Sequence, residues 1–275
     1  MASGLIFRLS EAVRKAASFL ARFCVLQERR CVVCHAPFLP EDDGSALPVL
    51  FCPSCRLSFR RREAGYCPHC GEPSAFADAP IVPCGECLQK LPPWNDFLFH
   101  GIYEGALREL ILRGKFSGSL DTLDALGHML AFLCEEHYST ALPPHVLIPL
   151  PLHLSRLRER GLDQCLEMAR PVARALGIPL RMDMLRRVSA AVPQASLDRE
   201  ARKKLHQPFE ASPEVEGLRV LLLDDICTTG ATLSRATEAL LEAGALSVDI
   251  VVVARTSLHS AHTNQPNEGH GRALP

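Results

Sequence analysis

Two adjacent carboxylates, Asp224 and Asp225, stand between an apolar run and a loop rich in hydroxyl groups. Residues 220–223 (VLLL) have the length and composition of a strand that is buried on both faces. Residues 227–232 (CTTGAT) lead into apolar residues at helical spacing, so a helix is expected to begin at this loop. The N–H groups of a helix N-terminus, the helix dipole and threonine hydroxyls all favour a bound anion. The segment therefore predicts an anion site at the carboxyl end of a strand.

This segment is neither a Walker loop nor a dinucleotide fingerprint, because it contains neither GxxxxGK[ST] nor GxGxxG. The alternative is structural: two acids that cap a strand, and a Thr-Thr-Gly turn before a helix. The ordered string resembles the phosphoribosyl-pyrophosphate motif of type I phosphoribosyltransferases. That resemblance implies that Asp224 and Asp225 bind the ribose hydroxyls. It also implies a 5′-phosphate site formed by Thr228, Thr229, Gly230, Ala231 and Thr232.

Four CxxC pairs occur between residues 31 and 87. One pair can supply two thiolates to a tetrahedral Zn²⁺, so two pairs complete a closed and structural Cys₄ site. The segment has little apolar material, so metal binding would supply much of its folding free energy. The eight expected ligands are Cys31, Cys34, Cys52, Cys55, Cys67, Cys70, Cys84 and Cys87.

The pairing of these cysteines has two solutions. Sequential pairing joins the first pair to the second and the third to the fourth, and it is favoured because it closes shorter loops. Cross-braced pairing joins the first pair to the third and the second to the fourth. His35 and His69 are alternative ligands that a full cysteine set makes unnecessary. The cysteines outside the pairs are expected to be small apolar residues: Cys24, Cys134, Cys165 and Cys227.

Size and charge limit the function classes. A chain of 275 residues with 47% hydrophobic residues fits one large or two modest globular domains. A net charge of −1 excludes a globally basic nucleic-acid binder, so such contacts would need local patches. Residues 5–23 form a basic amphipathic pattern too charged to span a membrane. Twelve cysteines without an evident signal peptide predict a reduced, cytoplasmic protein.

The remaining pattern predicts an α/β domain with a parallel sheet. Strands are expected at residues 97–103, 146–152 and 247–254, and helices at 106–116, 120–138 and 165–176. The polar, basic segment 185–208 resembles the mobile hood that covers the site in type I phosphoribosyltransferases. The expected domains are a leading helix (1–28), a double zinc ribbon (29–90), a phosphoribosyltransferase-like domain (91–258) and a disordered tail (259–275).

The combination of motifs resembles the ComF family of phosphoribosyltransferase-like proteins, which includes proteins named ComF or GntX. The shared segments are the cysteine knuckles and residues 103–115, 149–153, 158–164, 193–202 and 220–232. Two positions depart from the usual family pattern: residues 160–165 read RGLDQC instead of RGFNQA, and His206 replaces an asparagine. Both are expected to affect the second substrate and to leave the ribose-phosphate elements intact.

The resemblance implies a ligand, a cofactor and a biological role. The ligand is phosphoribosyl pyrophosphate with Mg²⁺, or another 5′-phosphate, and the role is natural competence, in which single-stranded DNA is taken up and handled. Catalysis by pentosyl transfer is left open, and so is the acceptor. The implied pyrophosphate loop comprises Leu150, Pro151, Leu152 and His153, with Arg156 nearby.

Two other function classes compete with an enzyme. A nucleic-acid module would use basic residues to contact phosphates and aromatic residues to stack on bases. A regulatory scaffold would use the zinc unit as a docking surface. The candidate stacking residues are Phe51, Phe59 and Tyr66, and the candidate phosphate contacts are Arg56, Arg60, Arg61, Arg62, Arg199, Arg202, Lys203 and Lys204.

Overall fold

A computed structural model describes residues 28–40, 50–152, 158, 161–188 and 208–257. The chain divides into two compact units, Met1–Ser58 and Phe59–Pro275. The first two CxxC pairs belong to the first unit and the last two belong to the second unit. The boundary expected near residue 90 remains a prediction of the sequence.

The two units carry the same knuckle design. In the first, β1 (Arg29–Arg30) pairs antiparallel with β2 (Pro37–Phe38), and the helical turn α1 (Pro53–Leu57) follows Cys52. In the second, the helical turn α2 (Gly85–Gln89) follows Cys84. Proline and glycine directly after these cysteines suit the first turn of a helix, where backbone N–H groups have no helical partner.

The rest of the second unit is an α/β fold. Its elements, in chain order, are β3 (Phe97–Ile102), α3 (Gly105–Phe116), α4 (Leu120–Tyr138), β4 (Val146–Pro149), α5 (Gln164–Leu176), β5 (Leu185–Arg187), β6 (Phe209–Ala211), a 3₁₀ turn (Pro213–Val215), β7 (Arg219–Cys227), α6 (Ala231–Glu242) and β8 (Ser247–Arg255). Within the described ranges, no helix is long and apolar enough to cross a bilayer.

The main sheet has four parallel strands in the order β3-β8-β7-β4. The expected α/β fold with a parallel sheet is confirmed. β4 pairs with β7 only as far as Pro149, which lies opposite Leu223, whereas β7 continues beside β8 to Cys227. β7 therefore extends beyond β4, and this extension carries the two acids.

Side chains alternate between the two faces of the sheet. One set packs against α6 and the antiparallel pair β5–β6 and includes Val220, Leu222, Ile250 and Val252. Helices α4 and α5 pack on each other and contact the strands. Leu221 is fully buried with the alternate set. Coverage of both faces explains why the central strands are apolar at nearly every position.

The expected elements differ from the observed ones mainly at strand ends. The strand expected at 146–152 is only Val146–Pro149, because its pairing with β7 ends there. The strand expected at 220–223 is Arg219–Cys227, because pairing with β8 continues through the acids. The start of the expected hood is strand β5, which pairs with β6.

Several expectations concern residues outside the described ranges. They are the leading helix, the tail 259–275, Cys24, His206, and most of the hood. The group also includes His153, Arg156, Arg199, Arg202, Lys203 and Lys204.

Candidate phosphate-binding site and metal clusters

The eight paired cysteines form two clusters, and the grouping is sequential. In each cluster the four sulfur atoms lie within 4.8 Å of one another. The Sγ–Sγ distances Cys34–Cys52 and Cys70–Cys84 are both 3.7 Å. Tetrahedral Zn²⁺ with Zn–S bonds of about 2.3 Å places its sulfur ligands about 3.8 Å apart. The donor set and its spacing therefore fit one structural Zn²⁺ in each cluster.

The first knuckle of each cluster has the same backbone geometry. The N–H of His35 donates to the Cys31 carbonyl at 2.8 Å, and the N–H of Gly71 donates to the Cys67 carbonyl at 2.9 Å. Both His35 (φ 59°) and Gly71 (φ 69°) are left-handed. His35 is thus the turn residue of its knuckle, equivalent to Gly71, and the four sulfurs beside it already complete the ligand set.

The two acids of the candidate ribose site have different surroundings. Asp225 forms an ion pair with Lys115 of α3, with 2.8 Å between Nζ and Oδ2 and side chains 16% (Lys115) and 15% (Asp225) exposed. Asp224 Oδ1 accepts a hydrogen bond from the Asp225 N–H at 2.8 Å and from the Cys165 thiol at 3.4 Å. Lys115 therefore neutralises one acid, while the other is held by an N–H and a thiol.

Burial, followed by the neighbouring charge of Asp225, raises the pKa of Asp224 to about 7. Burial and the same two acids raise the pKa of Cys165 well above 9, so this thiol stays protonated and donates. Near neutral pH the pair therefore changes charge readily, and an added cation or a hydroxyl donor would favour ionised Asp224.

The loop after β7 leads directly into the N-terminus of α6. Gly230 is left-handed (φ 76°) and precedes α6, whose first helical hydrogen bond runs from Ser234 N–H to the Gly230 carbonyl at 2.8 Å. The Thr229 hydroxyl accepts from the Ala231 N–H at 3.3 Å, and both Thr228 and Thr229 are exposed. The helix dipole and the N–H groups of the first turn face this loop.

The implied pyrophosphate loop starts beside the acids. The Leu150 N–H donates to the Leu223 carbonyl at 2.8 Å, immediately before Asp224 in the chain. Leu150 is buried, and Pro151 and Leu152 are half-buried. This part of the loop thus begins where β4 ends and the acid-bearing extension of β7 continues.

Three residues of this region are more important than the sequence pattern indicated. Lys115 was given no role of its own, although it lies in the helix expected at 106–116 and closes the family segment 103–115. Cys165 is buried, as a small apolar residue would be, but it also hydrogen-bonds Asp224. The expectation that the departure at residues 160–165 leaves the ribose element untouched was therefore wrong. Arg255 directly follows the strand expected at 247–254 and was given no role, yet it lies buried against the loop.

The stacking surfaces expected from the sequence are also corrected. Phe51 and Phe59 are each 1% exposed, so their rings are core residues and cannot stack on bases. Tyr66 packs edge-on against Phe99, with ring centroids 5.1 Å apart.

Arg61 and Arg62, two of the candidate phosphate contacts, have protein partners. Arg61 pairs with Glu136 at 2.7 Å. Arg62 donates to the carbonyls of Ala64 and Gly65, both at 2.8 Å. The phosphate-contact role of this cluster is correspondingly weakened.

Comparison with known proteins supports the fold and the family. The family model described as a phosphoribosyl transferase domain matches residues 162–267. A DNA utilization protein YhgH from Salmonella typhi is 32% identical over 229 residues, which cover 82% of this chain and 96% of that protein. Competence protein F from Haemophilus influenzae is 27% identical, over 82% of this chain and 96% of its own length.

Among solved structures, a glutamine phosphoribosylpyrophosphate amidotransferase from B. subtilis has 22% identity and a TM-score of 0.37, covering 52% of this chain and 30% of that one. The resemblance to the ComF family is confirmed by the relatives with matches over most of their length. The chain belongs to the family of competence protein F and DNA utilization protein YhgH, with a phosphoribosyltransferase-type domain that follows cysteine clusters suited to zinc.

Proposed function

We propose that this protein binds phosphoribosyl pyrophosphate, or another 5′-phosphorylated ribose, and that it acts in the handling of single-stranded DNA during natural competence. The observation that carries the binding proposal is the acid pair on the extension of β7, followed directly by a threonine-rich loop at the N-terminus of α6. The names of the relatives, competence protein F and DNA utilization protein, support the biological role.

The chemistry of the loop matches a phosphate monoester. A 5′-phosphate would accept hydrogen bonds from the hydroxyls of Thr228, Thr229 and Thr232 and from N–H groups of the first turn of α6. Gly230 allows the loop to turn tightly before the helix because its left-handed φ of 76° is accessible to glycine at little cost. The phosphate would thus bind at the positive end of the helix dipole.

The acids match the two ribose hydroxyls. The Asp224 and Asp225 carboxylates can each accept a hydrogen bond from a 2′- or 3′-hydroxyl group. Carboxylate oxygens are also the protein ligands that Mg²⁺ takes, so the pair fits a Mg²⁺ ion that arrives with a diphosphate. The cation would lower the electrostatic cost of ionised Asp224 next to Asp225.

Lys115 gives the site a cation that a diphosphate could recruit. Its ammonium group lies 2.8 Å from Asp225, between the end of α3 and the strand that carries the acids. The tip of a lysine side chain moves over several ångströms at little cost, so it can contact an incoming anion while Asp225 turns to a ribose hydroxyl. We therefore include Lys115 among the ligand-binding residues.

The binding proposal is tested by the melting temperature of the zinc-loaded protein with phosphoribosyl pyrophosphate plus Mg²⁺, ribose 5-phosphate, inorganic pyrophosphate and a single-stranded oligonucleotide. A ligand at 100 times its Kd stabilises a protein by about 2.7 kcal/mol, which is a measurable shift. We expect phosphoribosyl pyrophosphate to stabilise the wild type and not the double variant Asp224→Asn/Asp225→Asn. Asp183→Asn is a control, because this exposed acid pairs with Arg181 outside the site.

The outcome that contradicts binding is a melting temperature of the folded, zinc-loaded wild type that no 5′-phosphate changes. Catalysis is tested separately by pyrophosphate release in the presence of candidate acceptors. DNA binding is tested by titration at several salt concentrations, where phosphate contacts require that affinity falls as salt rises.

A further inference from the structure

Arg255 joins the second cysteine cluster to the loop 227–232, which is proposed to bind phosphate and is called the phosphate loop below. Its side chain is 2% exposed, and it lies in the second compact unit together with both partners. On one side, Nε donates to the Cys70 carbonyl at 2.9 Å and Nη2 lies 2.8 Å from Glu72 Oε2. On the other side, Nη1 donates to the carbonyls of Cys227, at 3.3 Å, and Thr228.

This set of contacts is demanding because the guanidinium group is planar and its donors point in fixed directions. A buried cation without partners is expensive, so each of these acceptors must remain in place for the native packing to persist. The Cys70 carbonyl belongs to a knuckle whose sulfurs fit a metal ion. The position of the Thr228 carbonyl is thereby tied to the geometry of that knuckle.

Trp94 makes a second, independent link between the same two segments. Its Nε1 donates to the His69 carbonyl at 2.7 Å, inside the Cys67–Cys70 knuckle. Its Cη2 atom lies 3.2 Å from the position that a Cβ on Gly230 would occupy. The indole is 7% exposed, so it packs firmly between the knuckle and the loop.

We infer that the second cysteine cluster supports the phosphate loop, so that metal occupancy at this cluster and loop geometry are coupled through Arg255 and Trp94. Zinc at Cys67, Cys70, Cys84 and Cys87 would hold the knuckle carbonyls that these two side chains bind. Coupling between two sites is reciprocal, so a ligand on the loop also tightens metal binding. The statement about ligand affinity rests on the proposed function, whereas the statement about loop order does not.

The ordering of the loop is tested without any ligand by comparing one ligand variant of each cluster. Cys84→Ser removes a thiolate from the second cluster, and Cys34→Ser removes one from the first cluster, which lies in the other compact unit. Amide hydrogen exchange is measured for residues 228–234. We expect exchange to accelerate at least about tenfold in Cys84→Ser, because local opening becomes easier, and to stay unchanged in Cys34→Ser.

Trp94 supplies a second readout, because it is the single tryptophan of the chain. Its emission should change when zinc is removed from Cys34→Ser, in which the second cluster is intact, and it should be altered from the outset in Cys84→Ser. If residues 228–234 of Cys84→Ser exchange their amide hydrogens at the wild-type rate, the inference is overturned. Equal acceleration in both variants would also overturn it, because that result indicates general destabilisation.

Arg255→Lys tests the link itself. Lysine keeps a positive charge opposite Glu72 but cannot donate to the knuckle and loop carbonyls together. We expect this variant to keep two zinc ions per chain and to bind phosphoribosyl pyrophosphate about tenfold more weakly, within the usual range of about 5- to 150-fold for coupled sites. Wild-type loop exchange and affinity in Arg255→Lys with full zinc would refute the coupling. If the wild type binds no 5′-phosphate, the proposed function fails, and the exchange comparison still decides the inference.

Discussion

Asp224→Asn is expected to stabilise the protein while it removes ligand binding. Asp224 carries the raised pKa, about 7 against its ordinary value of 3.8, first because the surrounding protein desolvates this partly buried group and second because Asp225 is adjacent. Asparagine resembles the protonated acid in shape and charge. Its side-chain oxygen can still accept the hydrogen bonds from Asp225 N–H and the Cys165 thiol. The substitution thus removes a charge that the fold tolerates poorly.

The sign of the pH dependence follows from linkage. The folded state holds the Asp224 proton more tightly than the unfolded chain, so stability falls as pH rises from about 4 to about 7 and then levels off. The difference between 3.8 and about 7 corresponds to at most about 4 kcal/mol of unfolding free energy above pH 7. The buried asparagine amide of the variant has a free-energy cost of its own, which offsets part of this relief. The expected net gain in unfolding free energy is therefore about 1–2 kcal/mol at pH 8. The amide cost does not depend on pH, whereas the charge penalty falls by about 2–3 kcal/mol between pH 8 and pH 5, so the variant should have no advantage at pH 5.

Urea unfolding followed by Trp94 emission measures this gain, because the single tryptophan lies in the unit that contains the acids. The free energies of unfolding of the wild type and Asp224→Asn are compared at pH 5 and pH 8. We expect the variant to be more stable than the wild type at pH 8 and to lose this advantage at pH 5. The same samples should show loss of the melting-temperature shift with phosphoribosyl pyrophosphate.

Asp183→Asn provides a control of opposite sign. A hydrogen bond from Arg181 lowers the pKa of Asp183 to about 2, so its stabilising effect is complete above pH 4 and is lost only in stronger acid. This variant should lower stability equally at pH 5 and pH 8. If Asp224→Asn is less stable than the wild type at pH 8, or if its advantage does not depend on pH, the electrostatic account of the acid pair is wrong.

Three further predictions concern the loop, the metal clusters and the ion pair. Gly230→Ala should lower the unfolding free energy by about 1–2 kcal/mol and weaken phosphate binding, because alanine disfavours a φ of 76° and its Cβ would lie 3.2 Å from Trp94. Gly217→Ala is the control for the backbone cost alone, because Gly217 has a φ of 71° and open space around the Cβ position. Metal analysis should find two zinc ions per chain, with a lower melting temperature after chelation; a value below two in the folded protein contradicts the double-cluster assignment. Lys115→Met should lower the unfolding free energy by about 2 kcal/mol, between typical values for exposed and buried pairs. A double-mutant cycle with Asp225→Asn should show coupling, and additive effects would exclude a direct pair.

Local features of the fold were predictable because their causes are local. The α4 helix begins and ends where its periodicity indicates, and Ser119 caps it by accepting a hydrogen bond from the Thr122 N–H. Helix α5 ends at Gly177, which adopts a left-handed φ of 65°. The strand, acids, loop and helix of the central motif follow one another in the chain, so their order could be predicted from the sequence.

The partners of these groups were not predictable because they depend on tertiary packing. Asp225 pairs with a lysine 110 positions earlier in the chain, and Arg255 pairs with Glu72, which lies 183 positions earlier in the chain. Phe51 and Phe59 are aromatic, as stacking residues usually are, yet their side chains are buried in the core. Side chains of the same type can lie in a core or on a surface, and their sequence neighbours here do not distinguish the two.

The departure from the family pattern at residues 160–165 acquires a physical meaning from the geometry of the acid pair. Asp163 in place of asparagine still caps α5 by accepting from the Leu166 N–H at 3.1 Å, and both residue types are good caps. Cys165 in place of alanine adds a thiol donor 3.4 Å from Asp224, which favours the ionised carboxylate against the effects of burial and Asp225. Together with Lys115 on the other acid, this thiol compensates a charge pair that folding disfavours and that the proposed ligand binding would require. The site therefore keeps both carboxylates available by surrounding each with its own donor.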